Sequence, residues 1–188
     1  MRLFYRPQRI FSIAALLLCL SPGLKAEAKS EAIPFHLQQQ SPGKTLGPSD
    51  LSRQVESRIF ESTNGVREGK KLKPLASEEL LAKAAHDHAQ DMMKRNYLSH
   101  FSPEKKSVVD RLKKYRPKLN RSVGENLHTI ASAGGLFDPK AIAEQMMKDW
   151  MNSSSHRKNI LAKNFEFLGV GCTGDGSRIF CVQVFGGP

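Results

Sequence analysis

Apolar residues recur at the spacing of one helix face over much of the chain. Leu51, Val55 and Ile59 stand four residues apart, behind a serine and an aspartate that can cap a helix. The pattern predicts a helix that ends near Arg67. A second stripe, rich in alanine, predicts a helix over residues 77–95.

Two further helices are indicated by their start signals. Ser102-Pro103-Glu104 combines a capping serine, a proline and an acid, which is typical of a first helical turn, and Pro117 ends the segment. Asp138-Pro139 opens the next helix in the same way, with Trp150 on its apolar face.

Three segments are rich in β-branched and aromatic residues and lack the helical period. They predict strands over residues 122–130, 165–172 and 178–185, of which the last two form a hairpin. Because helices flank these strands without strict β-α alternation, the sequence predicts an α+β fold or a three-layer α-β-α sandwich.

The start of the chain has the parts of an export signal. Arginines precede the apolar run Ile10–Leu20, and Ala26 offers a small residue for cleavage. We therefore expect residues 1–26 to be a signal peptide and the protein to be periplasmic or extracellular. Residues 27–48 are polar and aperiodic, which predicts a flexible linker before one domain over residues 49–188.

The charge balance favours loose association with an anionic envelope surface. The net charge is +11, and it falls to +7 on export because four cations and no acid leave with the signal peptide. The basic runs alternate with acids and carry no nucleic-acid recognition motif, so we do not expect a nucleic-acid partner.

Two cysteines remain after export, and they flank one turn. The hairpin register that sets Asp175 opposite Arg178 also sets Cys172 opposite Cys181. Since facing side chains are close enough for a bridge, we expect a disulfide between them, consistent with an oxidising compartment.

His156 is the most informative residue for chemistry. If Ser153 or Ser154 caps the short helix that follows, the positive end of the helix dipole favours a neutral imidazole, which can bind a metal or accept a proton. The alternative is that His156 only hydrogen-bonds backbone groups in a loop.

A carboxylate lies in an apolar row of the first predicted strand. Val123, Glu125 and Leu127 share one face, so Glu125 needs partners, and Gly124 lets another element approach the strand.

Elsewhere, His88 lies among buried alanines and is expected to be a hydrogen-bonded core residue.

Four motifs follow one another over residues 50–187. They are Asn64-x-x-Arg67, the Ser99-His100 end of the alanine-rich helix, Gly124-Glu125-Asn126-Leu127, and Trp150 to Leu161 leading to Gly169-Val170-Gly171. In this order they resemble the CAP superfamily, the cysteine-rich secretory, antigen 5 and pathogenesis-related 1 proteins, in its exported bacterial form. The resemblance implies an α-β-α sandwich with a large cleft.

The resemblance also implies the residues of that cleft. His100 and His156 would face each other with Glu125 beside them, and together they could hold zinc or another divalent ion. The family's fourth cleft residue is a glutamate three positions after the tryptophan, where this chain has Ser153. The remaining site, two imidazoles and one acid, is compatible with zinc holding a water.

Three functions follow as hypotheses. The first is a secreted binding module for a lipid, sterol-like molecule, peptide or envelope glycan. The second is a metal-assisted, peptidase-like hydrolase in which Glu125 is the base, and the third is an interaction protein with a vestigial cleft. Since no zincin motif, nucleophile elbow or catalytic cysteine is present, the sequence favours binding over catalysis.

Overall fold

The computed structural model describes residues 46–135 and 138–188. The predicted signal peptide, and the linker as far as residue 45, lie outside the described residues and stay predictions. Among the residues described, no helix is both long and apolar enough to cross a membrane.

Helices surround a mixed four-stranded sheet, which confirms the predicted fold class. The helices are α1 (Pro48–Gly69), α2 (Glu79–Arg95), α3 (Val108–Lys113), α4 (Pro139–Asn152) and α5 (Ser154–Leu161). The strands are β1 (Ala76–Ser77), β2 (Val123–Ala131), β3 (Phe167–Gly174) and β4 (Arg178–Gly186). The order in the sheet is β1-β3-β4-β2, with β1 parallel to β3 and the other pairs antiparallel.

Strand β4 divides the apolar core into two layers. Ile179 and Phe185 pack on the side of α1, α4 and α5, whereas Val182 and Val184 pack on the side of α2 and α3. The alternation of side chains along a strand produces this division, because successive residues point to opposite faces.

Helix α2 lies directly on β3 because two glycines remove the side chains between them. A Cβ at Gly169 would lie 2.0 Å from the Ala82 nitrogen, and one at Gly171 would lie 2.1 Å from the His86 nitrogen. Only glycine allows this close approach of two backbones.

The predicted start of the third helix is wrong. Ser102-Pro103-Glu104 forms a turn, in which the Lys105 nitrogen donates to the Ser102 oxygen at 2.7 Å. Lys105 has a φ of 60°, which stops a right-handed helix. Helix α3 begins later, where Ser107 and Asp110 form a reciprocal capping box. The two-residue strand β1 was not predicted, because it is too short to show a period.

The predicted cross-hairpin disulfide is confirmed. Cys172 pairs with Cys181 in the register of β3 and β4, their Cα atoms are 4.2 Å apart, and their sulfurs are bonded. The Asp175 nitrogen donates to the Arg178 oxygen at 3.1 Å, so the turn also has the predicted register.

The glycine contact between α2 and β3 predicts a large effect of one methyl group. Gly171→Ala should lower the free energy of unfolding by about 3 kcal/mol, because neither backbone can yield. The matched control is Gly65→Ala in α1, where an added Cβ meets nothing within 4 Å. It should be neutral or raise the free energy of unfolding by up to about 1 kcal/mol, since alanine favours helix. Urea denaturation measures the free energy of unfolding of both variants. Equal effects of the two substitutions would contradict the close backbone approach at Gly171.

Candidate functional site

Glu125 is buried on β2 and both of its carboxylate oxygens are occupied. Its side chain is 3% exposed, and Oε1 accepts from His100 Nδ1 at 2.8 Å. Oε2 is paired with the guanidinium of Arg111 in α3. The expectation that this carboxylate needs partners is confirmed, and Arg111 is the partner that sequence reasoning missed.

The contact with Glu125 fixes the orientation and tautomer of His100. A carboxylate can only accept, so Nδ1 carries a proton, and in the neutral imidazole the lone pair is then on Nε2. The His100 side chain is 50% exposed, whereas its Nδ1 partner Glu125 is buried. Arg111 also donates to the His100 and Lys106 carbonyls at 3.1 and 3.0 Å and so fixes the loop that carries the histidine.

Gly124 lets α5 approach β2, as predicted. A Cβ at Gly124 would lie 2.8 Å from Phe165 Cζ and 3.1 Å from Asn159 Oδ1. Asn159 of α5 donates to the Glu125 carbonyl at 3.1 Å and to Asn126 Oδ1 at 2.9 Å. The close approach therefore makes a direct amide link between the helix and the strand.

A chain of buried amides continues this link through the core. Asn126 donates to the His156 carbonyl at 3.2 Å and to Gln183 Oε1 at 3.0 Å. Gln183 in turn donates to the hydroxyl of Thr63 in α1 at 2.7 Å. The amide network, Thr63, Gln183, Asn126 and Asn159, thus ties α1, β4, β2 and α5 together and holds the backbone at His156.

His156 lies in the first turn of α5 and is partly buried. Burial lowers its pKa below the ordinary 6.5, and the nearby His100 and His128 lower it further. His156 therefore stays neutral to a lower pH than an ordinary histidine. Ser153 stands at the N-cap position, but its side chain makes no capping bond and instead lies 3.2 Å from the Ser155 hydroxyl.

A second imidazole–carboxylate pair, not predicted from the sequence, stands on the same strand. The Thr129 nitrogen donates to His128 Nδ1 at 2.7 Å, so Nε2 carries the proton that it donates to Asp149 at 2.8 Å. This bond is the main cause that holds the pKa of Asp149 below its usual value. Beside it, Trp150 donates to the Leu127 carbonyl at 3.0 Å, so the C-terminal end of α4 has two anchors on β2.

His88 lies in the core and does not hydrogen-bond to Glu125 or His100. The His88 side chain is 1% exposed, and Nε2 donates to the Ser99 carbonyl at 2.9 Å, which confirms the hydrogen-bonded core histidine. Burial lowers its pKa.

The contacts of Glu125 limit which of the predicted metal ligands, His100, His156 and Glu125, could bind a metal ion directly. Within residues 46–135 and 138–188, no three His, Cys, Asp or Glu side chains form a group that could hold a metal ion. Glu125 already uses both oxygens, so it supports His100 rather than presenting a third ligand atom. The atoms that suit a metal are the imidazole nitrogens of His100 and His156.

Comparison with known proteins gives one family. The model of the cysteine-rich secretory protein family, CAP, matches residues 60–185. The Bacillus subtilis protein YkwD is 40% identical over 133 residues, a match covering 71% of this chain and 48% of that protein.

Solved structures show the same fold. An extracellular protein containing an SCP domain from Bacillus anthracis is 33% identical with a TM-score of 0.58, and the match covers 73% of this chain and 42% of that one. An outer surface protein from Borrelia burgdorferi has a TM-score of 0.60 at 20% identity, over 72% of this chain and 93% of that one. The chain thus spans under half the length of the two Bacillus relatives.

The buried ion pair predicts a strong effect of removing one partner. Arg111→Met should lower the free energy of unfolding by about 3–5 kcal/mol, because the Glu125 charge stays buried without its cation. The double variant Arg111→Met/Glu125→Gln should recover most of this loss, since no charge is then left unpaired. Urea denaturation of both variants is the measurement. A double variant as unstable as the single one would contradict this role of the ion pair.

The lowered pKa of His156 predicts a pH dependence of stability. The unfolded chain takes up a proton near the ordinary pKa of 6.5, whereas the folded protein stays neutral to lower pH. The free energy of unfolding should therefore fall as pH drops below about 6.5. His156→Asn should make this fall shallower but not abolish it, because the pKa of His88 is lowered too.

The measurement is the free energy of unfolding between about pH 7 and about pH 5, with a chelator present. Ser154→Ala is the matched control, since this exposed hydroxyl on the same helix does not titrate. A wild-type slope in His156→Asn would show that His156 does not carry the effect.

Proposed function

Because the chain belongs to the cysteine-rich secretory protein (CAP) family, we propose that it is an exported binding protein. Its cleft, formed by His100, Glu125, His156 and Ser153, holds a small ligand with the help of a divalent cation such as zinc. The ligand class is a lipid, sterol-like molecule, peptide or fragment of envelope glycan.

The observation that carries this proposal is that both carboxylate oxygens of Glu125 already have partners. A general base must reach a water or substrate proton with a free oxygen. Here one oxygen accepts from His100 and the other is paired with Arg111, in a side chain that is 3% exposed. Glu125 is therefore built to orient an imidazole, which favours binding over hydrolysis with Glu125 as the base.

The residues present fit a metal held by two imidazoles. His100 offers Nε2, and its Nδ1 donates to a carboxylate, the second-sphere contact that metal-binding histidines usually make. The lowered pKa of His156 keeps its imidazole neutral, as a ligand must be. When bound, the cation would supply Lewis acidity and open coordination positions for an oxygen of the ligand.

The surface beside His100 suits a ligand that is partly apolar. Leu98 and Phe101 are large hydrophobic residues that are 50% and 56% exposed. Apolar groups next to a polar centre suit lipids and hydrophobic peptide side chains. Export is supported by the arginine-led apolar run at the start of the chain and by the Bacillus anthracis relative described as extracellular.

Zinc titration by calorimetry tests the proposal. The oxidised protein should bind one zinc ion per chain, and His100→Ala and His156→Ala should each lose this binding. The matched control is His86→Ala, because His86 lies on α2 beside Glu56 and outside the cleft. Binding that survives both cleft substitutions, or that is lost equally in His86→Ala, would overturn the metal site. Co-purified ligand, identified by mass spectrometry, then names the ligand class.

A further inference from the structure

A cleft separate from the histidine site lies between the loop after α1 and the segment before β3. Its volume is about 530 Å³. We call it the lysine cleft, and the residues that define it are Arg67, Lys71, Lys73, Lys163, Phe165 and Glu166.

The lysine cleft contains a buried cation without a counter-ion. Arg67 is 1% exposed, and no carboxylate within residues 46–135 and 138–188 forms an ion pair with it. Burial lowers its pKa, which reflects the cost of keeping this charge out of water. Buried charges are normally paired, so an unpaired guanidinium facing a cavity indicates a site for an anion.

The contacts of Arg67 leave part of its guanidinium unused. Nε donates to the Lys73 carbonyl at 2.9 Å, and Nη1 donates to the Ile160 and Ala162 carbonyls at 2.8 and 2.9 Å. For Nη2, the described part of the chain provides no acceptor. The carbonyls at the C-terminal end of α5 carry the negative end of the helix dipole, so they offset part of the Arg67 charge but provide no full counter-charge.

The rim of the cleft adds to the positive charge. Lys71, Lys73 and Lys163 are exposed on it, and Glu166 is its one carboxylate among the residues that line it. The lining therefore has a formal surplus of three positive charges. Like charges held this close repel one another, and a bound anion relieves the repulsion.

A purely structural role for Arg67 does not account for this surplus. Nη1 holds the end of α5 and Nε holds the loop at the Lys73 carbonyl, and neither contact requires a lysine side chain. The cleft also has an apolar wall, Phe165 beside Pro74. A cationic floor and rim with one apolar side match an anionic head attached to an organic group.

We propose that the lysine cleft binds a phosphoryl group, either as free phosphate or as the headgroup of an anionic phospholipid. Nη2 of Arg67 provides directed donors for the oxyanion, and the lysines provide mobile point charges around it. The cleft lies at the C-terminal end of α5, whereas His156 lies in its first turn. Binding here does not depend on the proposed function of the histidine site.

Two probes distinguish the two sources of the phosphoryl group. Inorganic phosphate is titrated into the protein by calorimetry, with a chelator present to silence the histidine site. Vesicles of phosphatidylcholine, with and without phosphatidylglycerol, are tested by co-sedimentation. Phosphate binding alone identifies a free anion, and binding only to phosphatidylglycerol vesicles identifies a headgroup; either result supports the proposal if the variants below agree.

Two double variants distinguish binding at the lysine cleft from attraction to the overall positive charge of the protein. Lys71→Glu/Lys163→Glu should weaken the observed binding by at least about tenfold. Lys118→Glu/Lys140→Glu changes the net charge equally at exposed positions outside the cleft and should stay within about twofold. The lysines are changed rather than Arg67 because replacing Arg67 also releases the end of α5. Absence of binding to both probes, or equal losses in the two double variants, would overturn the proposal.

Discussion

The buried charge of Glu125 is the constraint on which the candidate site depends. A carboxylate on an apolar face of β2 must be paired, and the pairing brings His100 and Arg111 to it from a loop and from α3. Arg111 then holds the carbonyls of the same loop, so one ion pair organises three segments. The contacts that compensate the buried acid therefore also fix the orientation of the His100 imidazole.

Helix α5 is held at both ends by buried polar groups. Near its start, the amide network reaches the His156 carbonyl through Asn126, and at its end Arg67 takes the Ile160 and Ala162 carbonyls. Such contacts are specific in direction, unlike apolar packing, and they fix the position of an eight-residue helix that is too short to be stable alone. The histidine site and the lysine cleft therefore share one rigid element, although each uses different side chains.

The sequence by itself determined the elements whose signals are local. The stripe Leu51, Val55 and Ile59 predicted α1, because helix faces repeat within one or two turns. The hairpin register predicted the Cys172–Cys181 bond, since a tight turn fixes which residues face each other. Alternation along β2 also showed that Glu125 needed partners, but it could not name them.

Only the tertiary structure decided which distant groups meet. Arg111 lies on a surface helix whose start the sequence misplaced, and Gln183 reaches Thr63 across 120 positions of chain. That Arg67 contacts carbonyls and no carboxylate within the described ranges likewise shows only when the loop after α1 and the end of α5 come together. Periodicity records which face of an element is buried, not which other element covers it. Which residues contact one another depends on how whole layers of helices and strands pack, and the residues that determine this packing are spread over the entire chain.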